Sequence, residues 1–310
     1  MALTFELLDC IEFWARHRGD SLALSSTNRT FSYSELLAGL NDLCSSVDSV
    51  DSSRIAVLAS AKLATAIGVL GVLRCGCSAV ILNPQLPTEL IKTCIDDATP
   101  GAILVAHENE QVWKAVTERY ESMAPMRYVQ FSTSTTRRSL PRRQRPEPQP
   151  DSEWAVLYSS GSTGAPKGIE RDFESMHTEF LGWCLELRLG PNSRFYVGRP
   201  VFYTGGLVLT MSTLLGGGSV VLNDVATGTA EALVNDIAAA TRSGPLDWAF
   251  LVPDQVRLLL NADATKRLRG SLRGVLVIRS KRCLSRTGFV RGGNWVDTPK
   301  RQANASCSLH

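Results

Sequence analysis

The chain has 310 residues, is 44% hydrophobic and 20% charged, and carries a formal net charge of +3. That is ordinary globular composition, with apolar mass for a sizeable core in one large domain or two smaller ones. It excludes a wholly disordered chain, and it supplies no basic face of the kind a nucleic-acid-binding domain needs.

Residues 3–18 place Leu3, Leu7, Ile11 and Trp14 at helical spacing. Glu6, Asp9 and Glu12 interrupt the same stretch, so no secretory signal is expected there. In "RTFSYSELLAGLNDLCSSV", Ser34 is the expected N-cap of a helix carrying Leu36, Leu37, Leu40 and Leu43. "RIAVLAS" predicts a strand, "AKLATAIGVLGVLRCG" an apolar helix ending near Gly76, and "SAVILN" the next strand. Lys62 and Arg74 interrupt this apolar region, which therefore reads as strand, helix, strand rather than a membrane span. A helix "PTELIKTCIDDA" and a strand "AILVA" follow. Strands alternating with helices at this spacing predict an α/β fold of βαβ units, with a mostly parallel sheet and flanking helices.

The eight cysteines (10, 44, 75, 77, 94, 184, 283 and 307) include no CxxC and no His at metal-ligand spacing. Cys75 and Cys77 fall in the apolar run, where two buried thiols on one strand are expected rather than a metal ligand pair. No disulfide framework is legible, and a reducing, cytoplasmic setting is expected.

Residues 132–150 hold five Arg and four Pro with almost no apolar side chain, so a solvated loop is expected. "EWAVLYSS" predicts a strand. After it come "SRFYVG", "GGSVVLND", a helix "GTAEALVNDIAAATR", a strand "DWAFLVP", a helix "DQVRLLLNA" and a strand "LRGVLVI". From Arg279 the composition changes abruptly: seven Lys/Arg, one acid and no legible element through His310.

The stretch "YSSGSTGAPKG" at Tyr158–Gly168 follows the apolar strand directly. Gly161, Gly164 and Gly168 allow backbone approaches that a Cβ would block. Successive N–H groups there suit an anion. Ser159, Ser160, Ser162 and Thr163 add hydroxyl donors, and Lys167 adds a point charge. A Walker A loop needs Gly immediately before the Lys, but Pro166 stands there. No protein-kinase glycine loop occurs either.

These eleven positions resemble the phosphate-binding signature of the adenylate-forming enzymes: acyl- and aryl-CoA synthetases, nonribosomal peptide synthetase adenylation domains and luciferases. "TFSYSEL", "GVLRCGCSAVILNPQLPTE" and "RPVFYTGGL" resemble further segments of that family, and the likeness covers roughly residues 5–278. The resemblance implies a carboxylic acid activated by ATP and Mg²⁺ to an acyl-adenylate, with CoA or another thiol as acceptor. It implies phosphate binding by Ser159, Ser160, Gly161, Ser162, Thr163, Gly164 and Lys167, with Lys167 also catalytic, and an acyl-pocket entrance at Tyr203 and Gly206. Tyr203 stands where the family often has His, and Asp172 and Phe173 stand where it often has Thr-His.

The sequence holds no Y-G-x-T-E segment, no T-G-D segment and no late catalytic Lys. The expected organisation is therefore an incomplete large N-terminal domain over 1–278 and an aberrant or disordered tail over 279–310. Two functions are consistent with these residues: an acid–thiol ligase, or a non-catalytic fragment that at most binds ATP phosphates. The expected partner is a small carboxylic acid, with no nucleic acid, no transmembrane segment and self-association through an uncovered sheet edge.

Overall fold

A computed structural model describes residues 6–47, 52–120, 126–131, 149–159, 166–224, 229–261, 268, 271–277, 288–291 and 294–297. The chain divides into two compact units, Met1–Asp224 and Val225–His310.

The first unit opens with α1 (Leu7–His17), β1 (Leu22–Ser25), β2 (Thr30–Ser32) and α2 (Tyr33–Val47). It continues with β3 (Arg54–Leu58), α3 (Lys62–Arg74), β4 (Ser78–Leu82), α4 (Thr88–Ala98), β5 (Ala102–Ala106), α5 (Glu110–Arg119) and β6 (Arg127–Phe131). β7 (Glu153–Ser159), β8 (Lys167–Asp172), α6 (Phe173–Leu187), β9 (Arg194–Val197), α7 (Thr204–Leu215) and β10 (Ser219–Val221) complete it. One sheet runs β6-β5-β3-β4-β7-β8; its first five strands are parallel and β8 lies antiparallel on the edge. In a second sheet β9, β10 and β1 are parallel, and β2 pairs antiparallel with β1. β4 and β5 are buried at every position, which is why they read as unbroken apolar runs rather than alternating ones.

α3 and α7 are buried almost all round, and each is followed by a parallel strand. Both end in the same device. Gly76 (φ 79°) and Gly217 (φ 80°) adopt the left-handed conformation that a Cβ disfavours. The Gly76 N–H donates to Leu73 O at 2.9 Å and the Cys77 N–H to Val72 O at 3.3 Å. The Gly217 N–H donates to Leu214 O at 3.1 Å and the Gly218 N–H to Thr213 O at 3.0 Å. This Schellman closure satisfies the last carbonyls and turns the chain into the next strand. Within α7, Thr210, Ser212 and Thr213 each donate to the carbonyl four residues back, at 2.7–2.8 Å, so three buried hydroxyls are paired inside an apolar helix.

Two expectations are corrected. Ser34 does not cap α2. The helix starts at Tyr33, and Ser32 Oγ accepts from the Glu35 N–H at 3.2 Å while Glu35 Oε2 accepts from the Ser32 N–H at 2.8 Å. That reciprocal capping box needs Ser three positions before Glu, a spacing that only Ser32 satisfies. Cys75 and Cys77 are not a buried pair on one strand. Cys75 is the C-cap of α3 and Cys77 precedes β4, both half-exposed, with their thiols donating to Gly71 O and Ser52 O. None of the six described cysteines forms a disulfide.

At the N-terminal end of the β6-β5-β3-β4-β7-β8 sheet, Arg54 Nε donates to Glu153 Oε1 at 2.8 Å, and Ser78 Oγ donates to the same oxygen at 2.6 Å. Burial alone would raise the Glu153 pKa; the Arg54 and Ser78 hydrogen bonds and the Arg54 charge outweigh it, and the net shift is downward. A lowered folded pKa contributes stability that is present above the ordinary glutamate value of about 4.3 and is lost as pH falls through the folded value. Glu153→Gln is therefore expected to flatten the acid limb of the stability–pH profile below about pH 4, read from urea midpoints.

The second unit carries α8 (Ala230–Ala240), β11 (Leu246–Leu251), α9 (Pro253–Asn261) and β12 (Leu272–Val277), with β11 and β12 parallel. β13 (Gly288–Arg291) pairs antiparallel with β12, and β14 (Asn294–Asp297) with β13, in a region where the sequence showed no element. The rest of the 279–310 segment and residues 132–148 lie outside the described residues. Among the described residues no helix is long and apolar enough to cross a membrane.

Candidate functional site

β7 is apolar because it is buried between β4 and β8, with Trp154–Leu157 all in the core. It ends at Ser159. β8 begins at Lys167, and the register sets Ser159 opposite Lys167 and Tyr158 opposite Gly168. Ser159 and Lys167 are exposed, and among the described residues the Lys167 ammonium makes no hydrogen bond or ion pair. Ser160, Gly161, Ser162, Thr163 and Gly164 lie outside the described residues.

The strand is anchored just before the loop opens. The Tyr158 hydroxyl lies 2.7 Å from Cys94 O and 2.8 Å from Asp97 Oδ2, both acceptors on α4 for its proton. Burial, then the hydrogen bond to Asp97 and its charge, push the Tyr158 pKa well above the usual phenol range, so the hydroxyl stays a donor. Asp172, which the sequence left unexplained, caps α6: its Oδ1 accepts from the Ser175 N–H at 2.6 Å.

The second predicted element follows β9. Tyr203 is the N-cap residue of α7, with no side-chain cap and no acid in the first turn of the helix. Its ring centroid lies 4.8 Å from that of buried Phe202, and the Arg199 guanidinium carbon lies 4.5 Å from the centre of the Tyr203 ring. Gly206 sits on α7 against the backbone of Arg199 and Pro200. A Cβ there would collide with Pro200 O and stand 3.2 Å from Arg199 O. Because those are main-chain atoms, Gly206→Ala is expected to cost about 1–3 kcal/mol and lower the melting temperature.

Both segments leave the C-terminal ends of parallel strands, the end at which open α/β sheets bind ligands. Lys62 ties the two sheets together at that end. Its buried Nζ donates to Val197 O at 3.0 Å and to Asn223 O at 2.6 Å, and its N–H donates to Asp224 Oδ1 at 2.8 Å. In the sequence Lys62 registered only as a break in an apolar run. Arg199 and the Tyr158–Asp97 pair gave no signal at all, because each depends on a partner that only folding supplies. Among the described residues no group of three His, Cys, Asp or Glu side chains is placed to hold a metal.

The family model described as AMP-binding enzyme matches residues 11–293. A nonribosomal peptide synthetase of Neosartorya fischeri is 26% identical over 79% of this chain, and an N-benzoylphenylalaninol synthetase of Penicillium brevicompactum is 23% identical over 82%. The chain spans 10% of the length of each of these relatives. Among solved structures, apo MbtA of Mycobacterium smegmatis superposes with a TM-score of 0.75 at 19% identity, covering 89% of this chain and 52% of that one. The o-succinylbenzoate coenzyme A synthetase of Bacillus subtilis in complex with AMP gives 0.69 at 20% identity, covering 86% and 66%. These two likenesses show a shared fold.

Proposed function

Since the chain belongs to the AMP-binding enzyme family and has the adenylate-forming fold, we propose that it activates a small carboxylic acid with ATP. The observation that carries this reading is the register that sets Lys167 opposite Ser159 at the C-terminal end of β7, with the serine- and glycine-rich residues 160–166 between them in the sequence. Ser159, Ser160, Gly161, Ser162, Thr163 and Gly164 offer hydroxyl and backbone donors to the β- and γ-phosphates, and Lys167 offers the charge.

A carboxylate oxygen attacks the α-phosphorus, the bond from that phosphorus to the β,γ-phosphate leaving group breaks, and pyrophosphate departs. Lys167 neutralises charge that builds on the leaving phosphates, which is where phosphoryl-transfer enzymes gain most of their rate. Tyr203 and Gly206 line the acyl pocket. CoA or a carrier-protein thiol then attacks the acyl carbonyl and AMP leaves. The experiment is ATP–pyrophosphate exchange by the purified chain over a panel of carboxylic acids, with ATP binding measured beside it. Acid-dependent exchange supports the proposal. ATP binding without exchange supports the second reading, a phosphate-binding domain without adenylation.

A further inference from the structure

Arg199 pairs with no acidic side chain among the described residues. It is half-buried, and among the described residues it makes no hydrogen bond or ion pair. Its one contact of note is the face of Tyr203, 4.5 Å from guanidinium carbon to ring centre. A cation–π contact of this kind is an attraction to the ring face and consumes none of the guanidinium's N–H donors. The ring is itself held. Phe202 supports it from the core, and the Tyr203 N–H donates to Pro200 O at 3.3 Å, the same carbonyl against which Gly206 closes. No acidic side chain stands in the first turn of α7 to neutralise the fork from within. The result is a set of N–H donors held beside Tyr203, with no counter-charge among the described residues.

Resting on the reading of Tyr203 and Gly206 as acyl-pocket residues, we propose that Arg199 selects carboxylic acids that carry a second carboxylate, gripping the carboxylate that is not activated. A cation removed from part of its water without a partner is costly, and a ligand carboxylate matches the guanidinium fork in a bidentate, charge-assisted pair. A monocarboxylic acid of equal length leaves the donors unpaired. A site built to hydrogen-bond a polar group rejects the analogue lacking it far more strongly than an apolar pocket rejects a missing methylene. The distal carboxylate takes no part in bond making, so Arg199 is a specificity residue.

The test is calorimetric binding of succinate, glutarate and adipate against butyrate, valerate and hexanoate, on the wild-type chain, Arg199→Gln and Arg199→Lys. The wild type is expected to prefer at least one dicarboxylate over its monocarboxylate partner by about tenfold or more. Arg199→Gln should abolish that preference, and Arg199→Lys should keep part of it, since the charge remains and the planar fork does not. Equal affinity for both series in the wild type overturns the proposal. So does absence of binding to both, a preference that survives in Arg199→Gln, or an equal loss of both series in that variant, which would place Arg199 on the reacting carboxylate. ATP titrated into the same three proteins separates the two readings. ATP binding without dicarboxylate preference sinks only the substrate class, whereas dicarboxylate preference without ATP binding sinks only the nucleotide reading.

Discussion

Replacing Lys167 with alanine is expected to lower acid-dependent ATP–pyrophosphate exchange on the order of a hundredfold to a thousandfold, the usual cost of removing one donor aimed at developing charge. The structure makes this a clean experiment. Lys167 is exposed at the first position of an edge strand and has no ion pair or hydrogen bond among the described residues, so its removal should leave stability within about 0.5 kcal/mol. An edge-strand lysine also has a bland role, keeping other chains from pairing with the open side of β8. The two roles separate in one comparison. A phosphate contact predicts lost exchange and weaker ATP binding with an unchanged melting temperature, partly restored in Lys167→Arg. An edge guard predicts full exchange and a chain that associates at high concentration. Unchanged exchange in Lys167→Ala would remove Lys167 from the proposed site.

The largest stability effect is expected from Arg74→Leu, about 3–5 kcal/mol, read as a shift of the urea midpoint. Arg74 on α3 pairs with Glu12 on α1, and the two side chains are only 9% and 8% exposed. Arg74 Nε also donates to Asn41 Oδ1 on α2 at 2.9 Å, so one guanidinium pins three helices. Removing it leaves a buried carboxylate that keeps the exposed Arg16 as a partner, 3.0 Å away but on the same helix. Breaking a buried pair from one side costs more than replacing both partners, because the cost lies in the uncompensated charge. The double variant Glu12→Leu/Arg74→Leu is therefore expected to recover most of the loss. If the double variant is no more stable than Arg74→Leu alone, the pair is held by packing and the electrostatic account fails.

What could be read in the sequence follows from where each element is buried. β3, α3, β4, α4 and β5 were legible because parallel strands covered on both faces must be apolar throughout, and the matched residues reappear nearly to the boundary. β6 escaped notice because "RYVQF" is largely exposed and carries no apolar run. α7 escaped because Gly205 and Gly206 in "TGGLVL" argue against a helix locally; burial on all sides and close packing against Pro200 outweigh that cost. The ion pair of Arg74 and the cross-sheet bonds of Lys62 appeared only as charges in the wrong place.

By itself the sequence determined the class of fold and carried the motif at 158–168 on which the family resemblance rests. Both are written in consecutive residues: period, apolar runs, and a string of glycines and hydroxyls ending in Pro-Lys-Gly. Tertiary structure alone decided that Lys167 pairs opposite Ser159, that Tyr158 is tied to Asp97, and that Arg199 lies over Tyr203 without a counter-ion among the described residues. Each of these is a relation between segments, fixed by strand register and helix packing. No local pattern encodes it, because the partner lies on another turn of the chain.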